Sequence, residues 1–169
     1  IVAGTLLLCL PWATSSGQSD LLTALFTATS SACVTGLIVV DTATHWSVFG
    51  QVVILLLIQV GGLGIMSFAV FYSLVLGKKI QFRERLIMQQ ALNKIDPGGV
   101  VNLFRKLLLL AFVSEAVAAL VLAWHWSSLL GWKKALWFGI FHSISAFNNA
   151  GIDLWGSVKS LTFFVHDPV

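Results

Sequence analysis

The chain has 169 residues, of which 57% are hydrophobic and only 10% are charged, and its net charge is +3 at pH 7. Soluble domains average about 25% charged residues, and a chain of this length cannot enclose a core large enough for so much apolar surface. With a mean hydropathy of +0.91, the composition predicts a membrane protein. Nucleic acid is not an expected partner, because the basic residues concentrate in one loop without base-stacking aromatics.

The first segment, residues 1–12, is apolar, and its final Trp12 is typical of a membrane helix that ends at headgroup level. The chain starts inside this run without an initiator Met, so we expect it to be a fragment. A signal peptide over 1–16 is the alternative, although no basic segment precedes the apolar run. Cys9 and Cys33 give neither a disulfide framework nor the spacing of a metal site.

A short helix is predicted over about 21–31, with Ser19 or Asp20 as its N-cap. At roughly 16 Å long, it cannot cross a hydrocarbon core of about 30 Å. A half-length helix between spanning helices is typical of a re-entrant segment. The following stretch, 32–45, is predicted to be non-helical and contains Gly36. Such backbone occurs at membrane depth only where it is buried in protein or lines a watery cavity.

The clearest spanning helix is predicted over Val48–Leu76. Its Gly61, Gly62 and Gly64 allow two interpretations. They permit close packing of helices through small residues, or they form a bend in a pore-lining helix.

A basic segment, 77–106, follows, with seven basic and two acidic residues. The positive-inside bias predicts that this segment is cytoplasmic and that the re-entrant loops face outward. Within it, an amphipathic helix is predicted over about 82–95. This helix docks a cytosolic partner, lies on the membrane surface, or packs against the protein's own helices.

The next spanning helix is predicted over Leu107–Trp126 and carries Glu115 near its middle. An ionisable group at that depth is a candidate functional residue, and the plainer interpretation is a carboxyl that hydrogen-bonds a neighbouring helix. A second short helix over about 135–146 contains His142, which we interpret as a packing residue rather than an ion ligand.

The two short helices belong to stretches that align without a gap, Leu22–Leu37 and Trp137–Ile152. Three of the sixteen aligned pairs are identical: Phe26 with Phe141, Ser30 with Ser145, and Gly36 with Gly151. The predicted unit is therefore a spanning helix, a short helix, a glycine-containing loop and a spanning helix.

This repeated unit suits a cation pore. A dehydrated cation needs oxygen dipoles in place of water, and backbone carbonyls after a short helix supply them. The C-terminus of that helix carries about half a negative charge. Asp41 and Asp153, just outside the loops, either raise the local cation concentration or serve as ordinary caps and turn formers. A homotetrameric channel would repeat one filter sequence. Because the two loops differ in sequence, we expect a pore assembled from repeats within one chain.

Three motifs, TATSSACVTGLIVVDT, QVGGLGIMSF and FHSISAFNNAGID, resemble the superfamily of Trk, Ktr and HKT potassium transporters, most of all the membrane subunit of the bacterial Ktr type. The resemblance covers nearly the whole chain. It implies an all-α membrane protein of potassium-channel-like repeats, each a helix, pore helix, filter loop and helix, with about one and a half of four repeats present. The divisions are a first repeat over 1–76 with a truncated first helix, a cytoplasmic linker over 77–99, and an incomplete second repeat over 100–169.

The resemblance also implies the substrate. Potassium would bind backbone carbonyls, without a cofactor in this chain and without enzymatic activity. In the family, glycine in the filter goes with potassium preference, whereas serine at the first filter position goes with sodium selectivity. The alternatives are a sodium-selective or sodium-coupled relative and a non-conducting membrane scaffold. The implied potassium-coordinating residues are Cys33, Val34, Thr35, Gly36, Asn148, Asn149, Ala150 and Gly151.

The implied partners are membrane lipid, a second copy of the complete subunit, and a cytosolic nucleotide-binding ring that regulates it. The implied location is the plasma (inner) membrane, with several passes. An intramembrane enzyme fits less well, because the scattered histidines and Glu115 match no catalytic spacing. Secondary transporters with broken helices use inverted repeats, whereas these two units run in the same direction.

Overall fold

The computed structural model describes residues 1–17, 20–64 and 97–156, the last range with side chains from Arg105. In these ranges the chain forms helices and no strand, as expected for the all-α class, and one isolated bridge joins Thr14 to Trp46. The described helices, in chain order, are α1 (Val2–Leu8), α2 (Leu21–Cys33), α3 (Thr42–His45), α4 (Val48–Gly62), α5 (Pro97–Leu130) and α6 (Trp132–Phe147).

The chain divides into two compact units. The first comprises Ile1–Gly62 and Glu115–Val169, and it contains α1–α4, the C-terminal part of α5, and α6. The second, Leu63–Ser114, is described at 63–64 and along the N-terminal part of α5. The division into two repeats and a cytoplasmic linker stays a prediction.

Helix α4 lies at the centre of the first unit, where it contacts α1, α2 and α6. Val53, Ile54 and Ile58 are buried in its apolar core. In a membrane protein such side chains stabilise the fold through van der Waals packing, because lipid tails are as apolar as they are. The other helices and their connections complete the core with Leu8, Ala24, Ala28, Trp46, Phe141, Ile152 and Leu154.

The two short helices are both longer than the sequence predicts. Helix α2 begins at Leu21 and extends to Cys33, and α6 begins at Trp132 rather than near Ala135. Asp20 occupies the N-cap position of α2, but its side chain makes no capping hydrogen bond. Helices of 13 and 16 residues are about 20 and 24 Å long, still less than the hydrocarbon thickness of about 30 Å.

The expectation that 32–45 is entirely non-helical is wrong at both ends, because Ala32 and Cys33 belong to α2 and Thr42–His45 forms α3. Asp41 Oδ1 accepts a hydrogen bond from the Ala43 amide at 2.9 Å and caps the one-turn helix α3. Local capping by a short acidic side chain favours such a turn even among β-branched residues. The plainer interpretation of Asp41, as a cap, is therefore confirmed.

The long helices also differ from their predicted bounds. Helix α4 ends at Gly62, and Gly64 has φ +78°. The rest of the predicted spanning helix, to Leu76, lies outside the described residues, as does the amphipathic helix over 82–95. Helix α5 begins at Pro97, ten residues before the predicted start, and proline is compatible with the first position of a helix.

One described segment, Arg105–Leu130 within α5, is long and apolar enough to cross a membrane by length and composition. Helices α2 and α4 are apolar but shorter.

The close approach of α4 to α2 generates a testable prediction. A Cβ on Gly61 would overlap the carbonyl group of Ala32, which belongs to the backbone of α2. Helix propensity favours Ala over Gly by about 1 kcal/mol, but overpacking destabilises by about 1–3 kcal/mol. We expect Gly61→Ala to lower the midpoint of thermal unfolding, measured by tryptophan fluorescence of the detergent-purified protein.

The control for this prediction is Leu56→Met at an exposed position of α4. This substitution conserves volume and should leave the midpoint unchanged. A higher midpoint for Gly61→Ala would mean that the two backbones do not touch.

Candidate ion-binding site

The loop that follows α2 contains two residues with left-handed backbone conformation. Val34 has φ 56° and Gly36 has φ 73°. The Thr35 amide donates to the Ser30 carbonyl at 3.0 Å. Ser30 Oγ then donates to the carbonyl oxygen of Leu37 at 2.7 Å, so the backbone and the side chain of one serine bind both ends of the turn to the helix.

The loop that follows α6 has the same geometry 115 positions further along the chain. Asn149 has φ 57° and Gly151 has φ 70°. The Ala150 amide donates to the Ser145 carbonyl at 2.7 Å. Ser145 Oγ donates to the carbonyl oxygen of Ile152 at 2.6 Å. These four features therefore recur at the offset of the gapless sequence alignment.

In each loop, one carbonyl accepts a hydrogen bond from the serine hydroxyl, and the carbonyls that precede it do not accept that bond. The carbonyls of Leu37 and Ile152 accept hydrogen bonds from buried serines. The predicted ligand stretches, Cys33–Gly36 and Asn148–Gly151, precede these two carbonyls. Cys33 is the last residue of α2, and Asn148 is the C-cap residue of α6, so both stretches begin at a helix C-terminus with its partial negative charge.

The structure brings the two loops into contact. A Cβ on Gly36 would overlap the carbonyl oxygen of the buried Ala150. A Cβ on Gly151 would meet no atom of the described residues within 4 Å. Gly36 is therefore constrained twice, by its positive φ and by the neighbouring loop, whereas Gly151 is constrained by its backbone conformation.

The C-terminal end of α4 lies against the ends of both short helices. Gly61 faces the Ala32 carbonyl of α2, and a Cβ on Gly62 would overlap the side chain of Asn148. These contacts support the interpretation of the two glycines as close-packing residues. Gly64 has φ +78° and lies two residues beyond the end of α4, and the bend in a pore-lining helix stays a prediction.

Three polar side chains form a network beside the second loop. Gln59 Nε2 donates to both carboxylate oxygens of Glu115, at 2.9 and 3.0 Å. Asn148 Nδ2 donates to Glu115 Oε1 at 3.2 Å and to Gln59 Oε1 at 3.3 Å. Glu115 is only 5% exposed, so these bonds compensate for its removal from water. The network agrees with the interpretation of Glu115 as a carboxyl that hydrogen-bonds a neighbouring helix.

His142 has a partner for each ring nitrogen. Nδ1 lies 2.7 Å from the Phe138 carbonyl oxygen, and Nε2 lies 3.3 Å from the Leu154 amide. Because a carbonyl accepts and an amide donates, Nδ1 carries the proton and Nε2 accepts. The ring also packs edge-on against Trp126. His142 is thus a hydrogen-bonded packing residue, as the sequence suggests.

Asp153 also has a local role, because its Oδ1 accepts a hydrogen bond from the Trp155 amide at 3.0 Å. Among the described residues, no cluster of histidine, cysteine, aspartate and glutamate side chains forms a metal site. The predicted ion ligands in the loops after α2 and α6 are backbone carbonyl oxygens.

Sequence reasoning missed two features of this site. It gave no role to Gln59, whose partner Glu115 is 56 positions away. It also gave no role to Ser30 and Ser145, although their identity in the aligned stretches was a usable signal. Hydrogen bonds from these serines to carbonyls seven residues ahead follow no common local pattern.

In the part of the chain that the structure describes, helices are joined by loops, and two of these loops, after α2 and α6, have matching geometry. A family model described as TrkH, cation transport protein, matches residues 2–169. The chain therefore belongs to this family of membrane cation transport proteins, which is not a family of enzymes.

Several curated relatives are similar to the chain. It is 48% identical to Ktr system potassium uptake protein B of Bacillus subtilis (strain 168), over 99% of this chain and 37% of the relative. It is 43% identical to the potassium/sodium uptake protein NtpJ of Enterococcus hirae, over 92% and 35%. It is 37% identical to Ktr system potassium uptake protein B of Vibrio alginolyticus, over 100% and 36%. The chain spans about a third of the length of these relatives.

The serine-to-carbonyl bonds generate a second prediction. Ser145→Ala leaves the Ile152 carbonyl without its donor in a buried site, and an unsatisfied buried group costs about 1–3 kcal/mol. We expect a lower midpoint of thermal unfolding for the complete protein in detergent. Thr29→Ala is the matched control, because Thr29 Oγ1 bonds the Leu25 carbonyl of its own helix at an exposed position. Equal shifts in the two variants would show that the bond to the loop contributes nothing.

Proposed function

We propose that the chain supplies two filter repeats of a potassium uptake protein. The observation that carries this proposal is the recurrence of one loop geometry, with two left-handed residues and a serine-bonded carbonyl, at a constant offset of 115 positions. In this proposal α2 and α6 are pore helices. The ion is coordinated by backbone carbonyls of Cys33–Gly36 and Asn148–Gly151.

The chemistry of the loops supports a cation rather than an anion. Helix C-termini direct partial negative charge toward the loops, and carbonyl oxygens replace the water shell of a dehydrated cation. The contact between Gly36 and Ala150 supports a single pathway bordered by both loops. Two loops enclose only part of such a pathway, so further repeats complete it in the whole protein. The relatives named as potassium uptake proteins support potassium as the substrate.

The remaining assignments belong to the whole protein. We place 77–106 in the cytoplasm and the filter loops toward the outside of the plasma (inner) membrane, by the positive-inside bias. The complete subunit forms a homodimer surrounded by lipid, and a cytosolic nucleotide-binding ring regulates it. The word "system" in the names of the Ktr relatives supports a protein that works with other components.

A second candidate function is uptake of sodium as well as potassium, or coupling of the two. The specific observation in its favour is the relative named potassium/sodium uptake protein, at 43% identity. Both filter glycines favour potassium, since neither loop carries the serine associated with sodium selectivity in the resembling family.

The assignment of Gly36 to the filter generates a third prediction. A side chain at φ +73° is strained by about 1–2 kcal/mol, and its Cβ would also overlap the Ala150 carbonyl oxygen. We expect Gly36→Ser to reduce the ratio of potassium to sodium uptake, measured as ion fluxes into proteoliposomes containing the complete protein. Gly17→Ser is the matched control, because Gly17 has φ +74° but no neighbouring atom within 4 Å among the described residues. An unchanged flux ratio for Gly36→Ser would remove Gly36 from the filter.

Growth rescue tests the function itself. The complete protein, with its cytosolic partner, is expressed in a bacterium that lacks potassium uptake and grows at limiting potassium. We expect the wild type to restore growth and Gly36→Ser to fail at equal membrane levels. No rescue by the wild type would contradict potassium uptake. Sodium flux in the same cells would then distinguish the sodium transporter from a non-conducting scaffold.

A further inference from the structure

The network of Gln59, Glu115 and Asn148 has a defined direction of hydrogen bonding. Both oxygens of Glu115 accept, so the donor end of Gln59 must face Glu115. The Gln59 carbonyl oxygen then faces away from the carboxylate and accepts from Asn148. The carboxyl group of Glu115 therefore bonds to the NH2 groups of both amides.

Asn148 occupies the position where α6 ends and the second loop begins. It is the C-cap residue of α6 and directly precedes the left-handed Asn149. Its Nδ2 has three acceptors, which are Glu115 Oε1, Gln59 Oε1 and the Ile144 carbonyl at 2.9 Å. The two N–H bonds of Nδ2 are shared among these acceptors, which restricts the side-chain rotamer of the residue at which the loop begins.

Packing reinforces the hydrogen bonds around Asn148. Gly62 of α4 leaves the space that the Asn148 side chain fills, because a Cβ on Gly62 would overlap it. On α6, Ser143 Oγ donates to the backbone carbonyl of Glu115 at 2.6 Å, which holds α6 to the same turn of α5. Asn148 is thus enclosed by α4 on one side and by α5 on the other.

The first loop begins differently. The residue that aligns with Asn148 is Cys33, an exposed free cysteine. Its thiol provides neither the donors nor the acceptor of an amide. The two loops share their backbone geometry but not the side-chain support at their first position, so the support of the second loop is a feature of this repeat.

We propose that Glu115 is a positioning residue for ion selectivity, which acts through Asn148 on the carbonyls of the second filter loop. The proposal rests on the proposed function and adds a residue from α5 that does not touch the ion. Glu115 orients Gln59 and Asn148, and Asn148 sets the start of the loop. A change at Glu115 therefore alters the spacing of carbonyl oxygens that separates potassium from sodium.

The test uses the complete protein in proteoliposomes and compares Glu115→Gln, Asn148→Ala and the double variant. Glu115→Gln keeps the shape but places an amide donor against the donor end of Gln59. We expect each single variant to lower the potassium-to-sodium flux ratio roughly three- to tenfold, the factor that one net hydrogen bond represents. Because both changes act on the same loop, the double variant should fall no further than the lower single variant.

The controls separate positioning from general stability. Val117→Leu, at an exposed position two residues along α5, should leave the flux ratio unchanged. A purely structural Glu115 would lower the amount of inserted protein and its thermal midpoint while the flux ratio per molecule stayed constant. If Glu115→Gln does not insert, Gln59→Leu removes the bonds of Gln59 to Glu115 and to Asn148 but keeps the direct Asn148–Glu115 bond, and it should also lower the ratio.

The outcomes distinguish this inference from the proposed function. A wild type without potassium preference contradicts the proposed function. A potassium-selective wild type with an unchanged ratio in Glu115→Gln overturns the positioning role and leaves the function intact. Independent, multiplying effects of Glu115→Gln and Asn148→Ala also overturn it, because Glu115 would then act by a route other than Asn148.

Discussion

The constraint on which the structure depends is that the backbone leaves the helical conformation after α2 and again after α6, within an apolar chain. Non-helical backbone at membrane depth must have its polar groups satisfied. After each short helix, a serine hydroxyl binds the carbonyl beyond the glycine, and an amide closes the helix end. In each loop a few residues lie between the helix end and the serine-bound carbonyl. These residues, Cys33–Gly36 and Asn148–Gly151, are the proposed ion site. The same hydrogen bonds therefore stabilise each loop and mark the residue at which the proposed ion site ends.

Helix α4 makes this arrangement possible by having no side chains at two positions. Gly61 admits the Ala32 carbonyl of α2, and Gly62 admits the Asn148 side chain of α6. One helix therefore lies against the C-termini of both short helices, and the two loops meet at Gly36 and Ala150. Glu115 and Gln59 add a polar connection on the same side. The two loops share their local geometry, but the side chains that support them differ.

Much of the fold and part of the site were predictable from sequence because the signals are local. Apolar runs predicted the helices, and the alignment of Ser30 with Ser145 and Gly36 with Gly151 gave the register that relates the two loops. Helix ends were less predictable, since the capping by Asp41 and the tolerance of Pro97 in a first turn depend on geometry. The Gln59–Glu115–Asn148 network joins residues 33 to 89 positions apart. Hydropathy and spacing carry no information about such pairs.

The central claim is that backbone oxygens of both loops coordinate one line of ions. The most direct measurement is the anomalous scattering of thallium, a potassium substitute, in crystals of the complete protein. The account predicts thallium peaks flanked by carbonyl oxygens of Cys33–Gly36 and of Asn148–Gly151, and none at the serine-bound carbonyls of Leu37 and Ile152. Thallium bound only elsewhere, or at one loop without the other, would contradict it.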